Sequence, residues 1–157
     1  MAVTRSRYRS ASGAAALVAF LLVLIFGSPW YVDWVNEGDR GVFLETLAWP
    51  QWNIDSDQSF RELLAADLKA ILLVVFTAVF VSLLAGAQLS SARGTISAIL
   101  TGWAAFIFAA ALAALITAFL LANASFGTAV VNAAGGAGYG LIVGWIVGIA
   151  SMAGQRT

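Results

Sequence analysis

Asn53-x-Asp55-x-Asp57 is a stretch of this chain whose residue types and spacing could hold a metal ion. Oxygen donors at alternate positions open the loop that wraps a calcium ion. The pattern then fails: Gln58 stands where that loop turns on a glycine, and Leu64 where it needs a bidentate glutamate. The neighbouring Ser59-x-x-Glu62 gives these residues another use. It reads as a capping box, with Asp55 and Asp57 just ahead of a helix N-terminus, where negative charge is favoured. A helix is therefore expected to start near Phe60, and no metal site is assigned.

Other chemistry is limited by what the chain lacks. It has no Cys and no His. That removes disulfides, thiolate zinc and iron–sulfur sites, thiol catalysis, and the commonest metal ligand and general base. No ionisable residue lies in the middle of any apolar stretch, where coupled transport usually needs one. The polar residues at such depth are Thr77, Ser82, Thr101 and Thr117, with Asn123 and Asn132 near the ends. Serine and threonine there usually bond their own helix. A membrane serine protease would want a His or Lys beside its serine, and a metal-dependent lipid transferase would want clustered aspartates at a membrane face. Neither pattern is found. The expectation is a protein that is not an enzyme and carries no cofactor.

Two groups of residues suit contact rather than catalysis. Gly136, Gly140, Gly144 and Gly148 recur every four residues in one apolar stretch. Without Cβ atoms, such a row lets another helix approach closely, the packing that drives association in lipid. Gly144 is central, so enlarging it is expected to do most damage. Thr101, Ala105, Ala109, Ala113 and Thr117, or Ala110, Ala114, Ala118 and Ala122, offer a small-residue mate on the preceding stretch. The glycines then hold either an antiparallel hairpin within one chain or a second copy or partner. The second group is aromatic. Trp30, Trp34, Trp49 and Trp52 are four of the six tryptophans and fall in one polar loop. Indole rings favour the headgroup layer, so the loop is expected to lie on the membrane surface; the alternative is an aromatic contact surface for a partner. Within that loop, Gly38–Gly41 reads as a turn and residues 42–49 as a short interfacial helix ending before Pro50.

The elements that must carry these groups follow from composition. The 157 residues are 61% hydrophobic and 10% charged, with a mean hydropathy of +0.91. Soluble chains run near 45–50% apolar and about 25% charged. A water-soluble globule is excluded. So is a nucleic-acid binder, since the net charge is zero and no basic patch exists to neutralise phosphates. A span needs about 20 apolar residues, and four stretches qualify: about 12–32, 68–87, 96–122 and 133–153, with a loop over about 33–67. The second is bulky almost all round and reads as lipid-facing or loosely packed. In the fourth, Ile142, Trp145, Ile146 and Ile149 are left to meet lipid. Asp67 and Lys69 sit at a span mouth, within reach of headgroups or water.

The basic residues orient the bundle. Arg5, Arg7, Arg9, Arg93 and Arg156 fall on one side; Arg40, Arg61 and Lys69 fall on the other with all eight acidic residues. Lys and Arg favour the cytoplasm. Both termini are expected there and the loop outside. The bulky, proline-containing sequence after Ile25 lacks a signal-peptidase site, so the first stretch reads as an uncleaved anchor. Alanine occurs 31 times, and seven of the eight basic residues are Arg, a bias typical of GC-rich bacteria. Asn123-Ala124-Ser125, a glycosylation match, is set aside on both grounds of position and source.

The layout of four spans with a tryptophan-bearing first loop looks like claudin-type tetraspans, but the paired loop cysteines are absent. Small four-span drug exporters are similar in size and in a glycine-rich last helix, but their embedded glutamate has no counterpart in 14–30. No residue carries over from either. The sequence alone therefore points to an all-α membrane protein: one four-transmembrane-helix domain over 1–157, with an extracytoplasmic loop between helices 1 and 2. It is expected in the bacterial inner (plasma) membrane. The expected function is a non-enzymatic structural or accessory subunit of a membrane assembly. Its partners would be the lipid bilayer and other membrane subunits or a second copy through helix 4. The alternative is a small homo-oligomeric channel or a lipid or small-molecule transport protein.

Overall fold

The structure, a computed structural model, describes the backbone of residues 2–38, 40–52, 59–88, 94–120 and 125–156, and the side chains of 10–38, 40–52, 59–84, 94–120 and 125–154. Asn53, Asp55, Asp57, Ala122 and Asn123, and the side chains of Arg5, Arg7, Arg9, Arg93 and Arg156, lie outside the described residues. Six helices follow in order: α1 (Ala2–Phe26), α2 (Pro29–Asn36), α3 (Val42–Leu47), α4 (Phe60–Gln88), α5 (Thr95–Ala118) and α6 (Phe126–Arg156). The four long ones pack in a ring, α1 against α4 and α6, and α5 against α4 and α6. α2 and α3 close one end of this ring, called here the loop end.

Three helices are long and apolar enough to cross a membrane: α4, α5 and α6. A fourth crossing exists if α1 and α2, bent by 53° at their junction, are counted as one broken span. The first stretch is thus not continuous to residue 32 as expected; α1 stops at Phe26. The cause is local. Ser28 Oγ accepts from Tyr31 N at 3.3 Å and donates to Ile25 O at 2.8 Å, ending one helix and capping the next. Pro29, which has no N–H to satisfy, is the first residue of α2. Gly27 is the pivot, because a Cβ there would lie 2.5 Å from Pro50 O.

The other boundaries have similar origins. α4 starts at Phe60 with the capping box formed as expected: Ser59 N and Oγ donate to Glu62 Oε2 at 3.3 and 2.7 Å, and Glu62 N donates back to Ser59 Oγ at 3.4 Å. α6 starts at Phe126, seven residues before the expected 133. Ser125 is the reason. Its Oγ accepts from Thr128 N at 3.1 Å and its carbonyl from Ala129 N at 2.9 Å. α5 closes at Ala118, short of the expected 122, where Phe119 N and Leu120 N bond back three residues.

Burial follows helical spacing. In α4, Ala70, Leu73, Thr77 and Val81 are buried while Ile71, Val75, Val79 and Leu83 are exposed. The helix has a packed face and an outward face, and the expectation of a loosely packed span is corrected on its inner side. Its bulky residues hid this, because a lipid-facing and a core-facing Val look alike in sequence. Thr77, Ser82 and Thr117 each bond a carbonyl four residues back, at 2.6, 2.7 and 2.9 Å. They satisfy their hydroxyls within their own helices, as expected.

Candidate functional site

The four glycines of α6 face α5 of the same chain. A Cβ at Gly136 would meet Ala110 O at 2.4 Å, one at Gly140 would meet Ile107 Cα at 2.7 Å, and one at Gly148 would meet Ile99 O at 2.5 Å. At Gly144 the obstacle is a ring: Trp103 Cδ1 lies 2.6 Å from the added atom. Three of the four contacts are therefore backbone against backbone. Gly144 differs in kind: its obstacle is the near edge of an indole held by two hydrogen bonds to α6, with Phe106 Cδ1 at 3.1 Å beside it. Ala110 and Ala114 supply the facing surface at Gly136, and Ala105, Ala109 and Ala113 are fully buried. The hairpin fills the groove, so a second copy or a pore using that face would have to displace α5. Trp145 and Ile149 are exposed, whereas Ile142 and Ile146 pack partly on the core.

The four loop tryptophans do not form one surface. Trp30 is 75% exposed. Trp34 packs partly on the core, its ring 4.0 Å from the Arg40 guanidinium carbon. Arg40 Nε also donates to Trp34 O at 2.7 Å. Trp52 is tied to the end of α1: its Nε1 donates to Val23 O at 3.1 Å and its backbone N to Gly27 O at 3.0 Å. Trp49 turns inward, stacked on Tyr139 of α6 with ring centroids 5.0 Å apart and planes at 21°. These three are half-buried against the chain, and Trp30 is the one of the four left exposed. The partners differ: Trp52 puts its N–H on the carbonyl end of α1, Trp34 its ring face under Arg40, and Trp49 its ring beside Lys69 and Tyr139.

Trp49 is the centre of a column. The Lys69 ammonium sits 4.9 Å from its ring centroid on one hand, and Tyr139 follows on the other, with Phe106 5.8 Å further on. Lys69 thus does not simply extend to the bundle's edge; it lies over an indole face. Two cavities adjoin it, of about 620 and 370 Å³, and share Gln51, Lys69 and Asn132 as walls. The larger is a broadly open cleft walled by α2 and α3 through Asn36, Glu45 and Thr46, with Tyr139 in its lining. Tyr139 is 1% exposed, and its hydroxyl has no hydrogen-bond partner among the described residues. An unsatisfied buried hydroxyl is rare enough to need a reason. Asn132, on the wall of both, donates its amide to Thr128 O at 2.9 Å.

A third cavity, of about 460 Å³, opens between α1 and α4. Phe20, Val23, Leu24, Ile71, Val74 and Val75 line it, with Trp52 and Asp67 at the loop end. Sequence reasoning missed this groove and the Lys69–Trp49–Tyr139 column alike. The available signals were a lone lysine more than two turns inside α4 and a tyrosine embedded in a glycine-rich helix. No group of three or more potential metal ligands occurs among the described residues. No protein-family model matches the chain, no curated protein is significantly similar to it, and no solved structure matches its fold.

Proposed function

We propose that this protein is a four-span component of the bacterial inner membrane, with both termini cytoplasmic, that acts as a non-enzymatic accessory subunit of a membrane assembly. The broken pair α1–α2 supplies the fourth crossing in this reading. One observation carries it. α2 and α3 are pinned to the bundle through Trp34, Trp49 and Trp52, yet they leave Trp30, Val42 and Phe43 exposed by 75, 77 and 60%. Large apolar side chains held outward on a fixed frame are what a partner subunit reads, because their burial contributes without an ordering cost. Photo-crosslinkers placed at Trp30 and Phe43 in living cells test the proposal. Discrete protein adducts that vanish when the crosslinker is moved to Leu17, on the exposed side of α1, support it. Adducts with lipid alone at all three positions contradict it. Orientation is tested by labelling cysteines with an impermeant thiol reagent: Ser56→Cys should react in intact cells and Ser91→Cys should not.

A second reading, a membrane protein that binds a lipid or small molecule, is favoured by the two cavities that share Lys69 as a wall.

A further inference from the structure

We infer that the end of the bundle opposite α2 and α3 binds the phosphate of an anionic phospholipid, through Arg7, Arg9, Arg93 and Arg156 with Arg5 beyond them. The inference rests on the proposed orientation only for the leaflet it names, the cytoplasmic one.

The zero net charge of the chain hides a separation along the bundle axis. No run of basic residues marks the sequence; the fold gathers them. α1 and α6 run antiparallel and meet where Ser10 Oγ donates to Gly154 O, and a Cβ on Gly154 would touch Ala14. Arg9 lies one residue outside this contact on α1, and Arg156 two residues outside it on α6. α5 reaches the same level. Gly148 packs on the Ile99 carbonyl and Gly102 on Ser151, so the start of α5 at Thr95 stands near the last turn of α6. Arg93 is two residues before Thr95 in sequence. The apolar lengths of these helices end at Ser10, Thr95 and Gly154. Each of three successive helices of the ring thus has an arginine within two residues of its apolar length. Arg7 and Arg5 follow on the outer turns of α1, and at 1.5 Å per residue Arg5 is about 7 Å beyond Ser10.

No acidic side chain offsets this cluster. All eight fall in 33–67. Asp67, the last of them, is 21 residues from Gln88 at the far end of α4, about 30 Å of helix and several Debye lengths. Four to eight basic residues beside the cytoplasmic ends of spanning helices attract anionic headgroups, and a guanidinium meets a phosphate through two parallel hydrogen bonds. A dissolved phosphate would need a pocket to hold it. The three cavities described above all lie toward the loop end. A lipid is held in position by its own chains and asks only for the charge.

Thermal unfolding of the purified full-length protein in neutral detergent tests this, titrated with dioleoyl-phosphatidylglycerol and with dioleoyl-phosphatidylcholine, which differ only in headgroup. Detergent solution has no sides, so the outcome is independent of orientation, which the labelling of Ser56→Cys and Ser91→Cys reads separately. A ligand of the folded state raises the midpoint as its concentration passes its Kd. Phosphatidylglycerol should raise it and phosphatidylcholine should not, and about 1 M sodium chloride, where the Debye length is about 3 Å, should remove most of the shift. Each arginine replaced by glutamine should weaken the apparent affinity about fivefold, and Arg5→Gln, Arg7→Gln and Arg9→Gln together about a hundredfold. Lysine at the same three positions keeps the charge and should retain binding, which separates a loss of charge from a loss of fold. Arg61→Gln, at an exposed residue of the loop end, should leave the response unchanged. Equal shifts with the two lipids, or none with either, overturn the inference. So does a phosphatidylglycerol shift that the triple variant preserves, and so does an equal shift with inorganic phosphate at matched ionic strength, which would make this a free-anion site.

Discussion

The Trp103 indole reaches across to α6 and donates to the carbonyls of Gly140 and Leu141, at 3.2 and 3.1 Å, and Gly144 gives it the space to do so. The ring's Cδ1 would lie 2.6 Å from a Cβ at position 144. Helix carbonyls usually have their own amide partners, so the indole adds a second bond to groups already served. The pair ties side-chain hydrogen bonding to the absence of a side chain one turn away. It also explains why Gly144 differs from its neighbours in the row.

A double-mutant cycle tests this coupling. Gly144→Ala should cost about 1–3 kcal/mol through overpacking. Trp103→Leu should cost its hydrogen bonds and part of its packing. Together they should cost less than the sum, by about 0.5–3 kcal/mol, because the smaller side chain relieves the clash. Additive losses in detergent unfolding would mean that the two residues do not share the contact.

The helix start of α4 gives a local prediction. Ser59→Ala removes the hydroxyl that bonds both Glu62 N and Glu62 Oε2. The expected loss is about 0.5–2 kcal/mol, seen as faster amide exchange confined to the first turn of the helix. Unchanged exchange at Phe60–Leu64 would show that the box contributes nothing.

At the junction of α1 and α2, Trp52→Phe deletes the bond to Val23 O while Gly27 N, at 2.9 Å, still serves that carbonyl. The cost should be near that of one neutral hydrogen bond, about 0.5–1.5 kcal/mol. Gly27→Ala should cost more, since its Cβ would press on the carbonyl oxygens of both Pro50 and Val23 at 2.5 Å. Limited proteolysis of 40–52 reads the outcome: faster cleavage in both variants, with Gly27→Ala the faster. The opposite order would contradict the account of the pivot.

What the sequence made legible was local or periodic. Ser59 and Glu62 lie three residues apart, so their cap could be read directly, and four glycines at a constant spacing announce a groove whatever fills it. Gly27-Ser28-Pro29 carried a break as plainly, but the hydropathy continues through Trp30, Tyr31 and Val32 and masks it. Ser125 caps α6 ahead of the apolar run Phe126–Val131, which Asn132 separates from the rest of the span. The column was out of reach because Lys69, Trp49 and Tyr139 sit on three segments up to 90 positions apart, brought together only when the loop folds back over the bundle. The same folding decided which tryptophans stayed exposed. Nothing in Trp30 distinguishes it from Trp52 until the carbonyl end of α1 appears beside the latter.

The claim on which the architecture rests is that the α6 glycines are used within the chain, against the α5 backbone. Three alanine substitutions on the same helix test it by the thermal midpoint of the purified monomer in detergent. Gly136→Ala and Gly148→Ala place a Cβ 2.4 and 2.5 Å from α5 carbonyl oxygens. Each should lower stability by about 1–3 kcal/mol. Gly138→Ala has nothing within 4 Å of its added atom. It should leave the midpoint unchanged or raise it, by up to about 1 kcal/mol of helix propensity. If instead Gly136→Ala and Gly148→Ala melt like the parent protein and only dissociate a complex on size-exclusion chromatography, the glycine row faces another chain and the intramolecular hairpin is wrong.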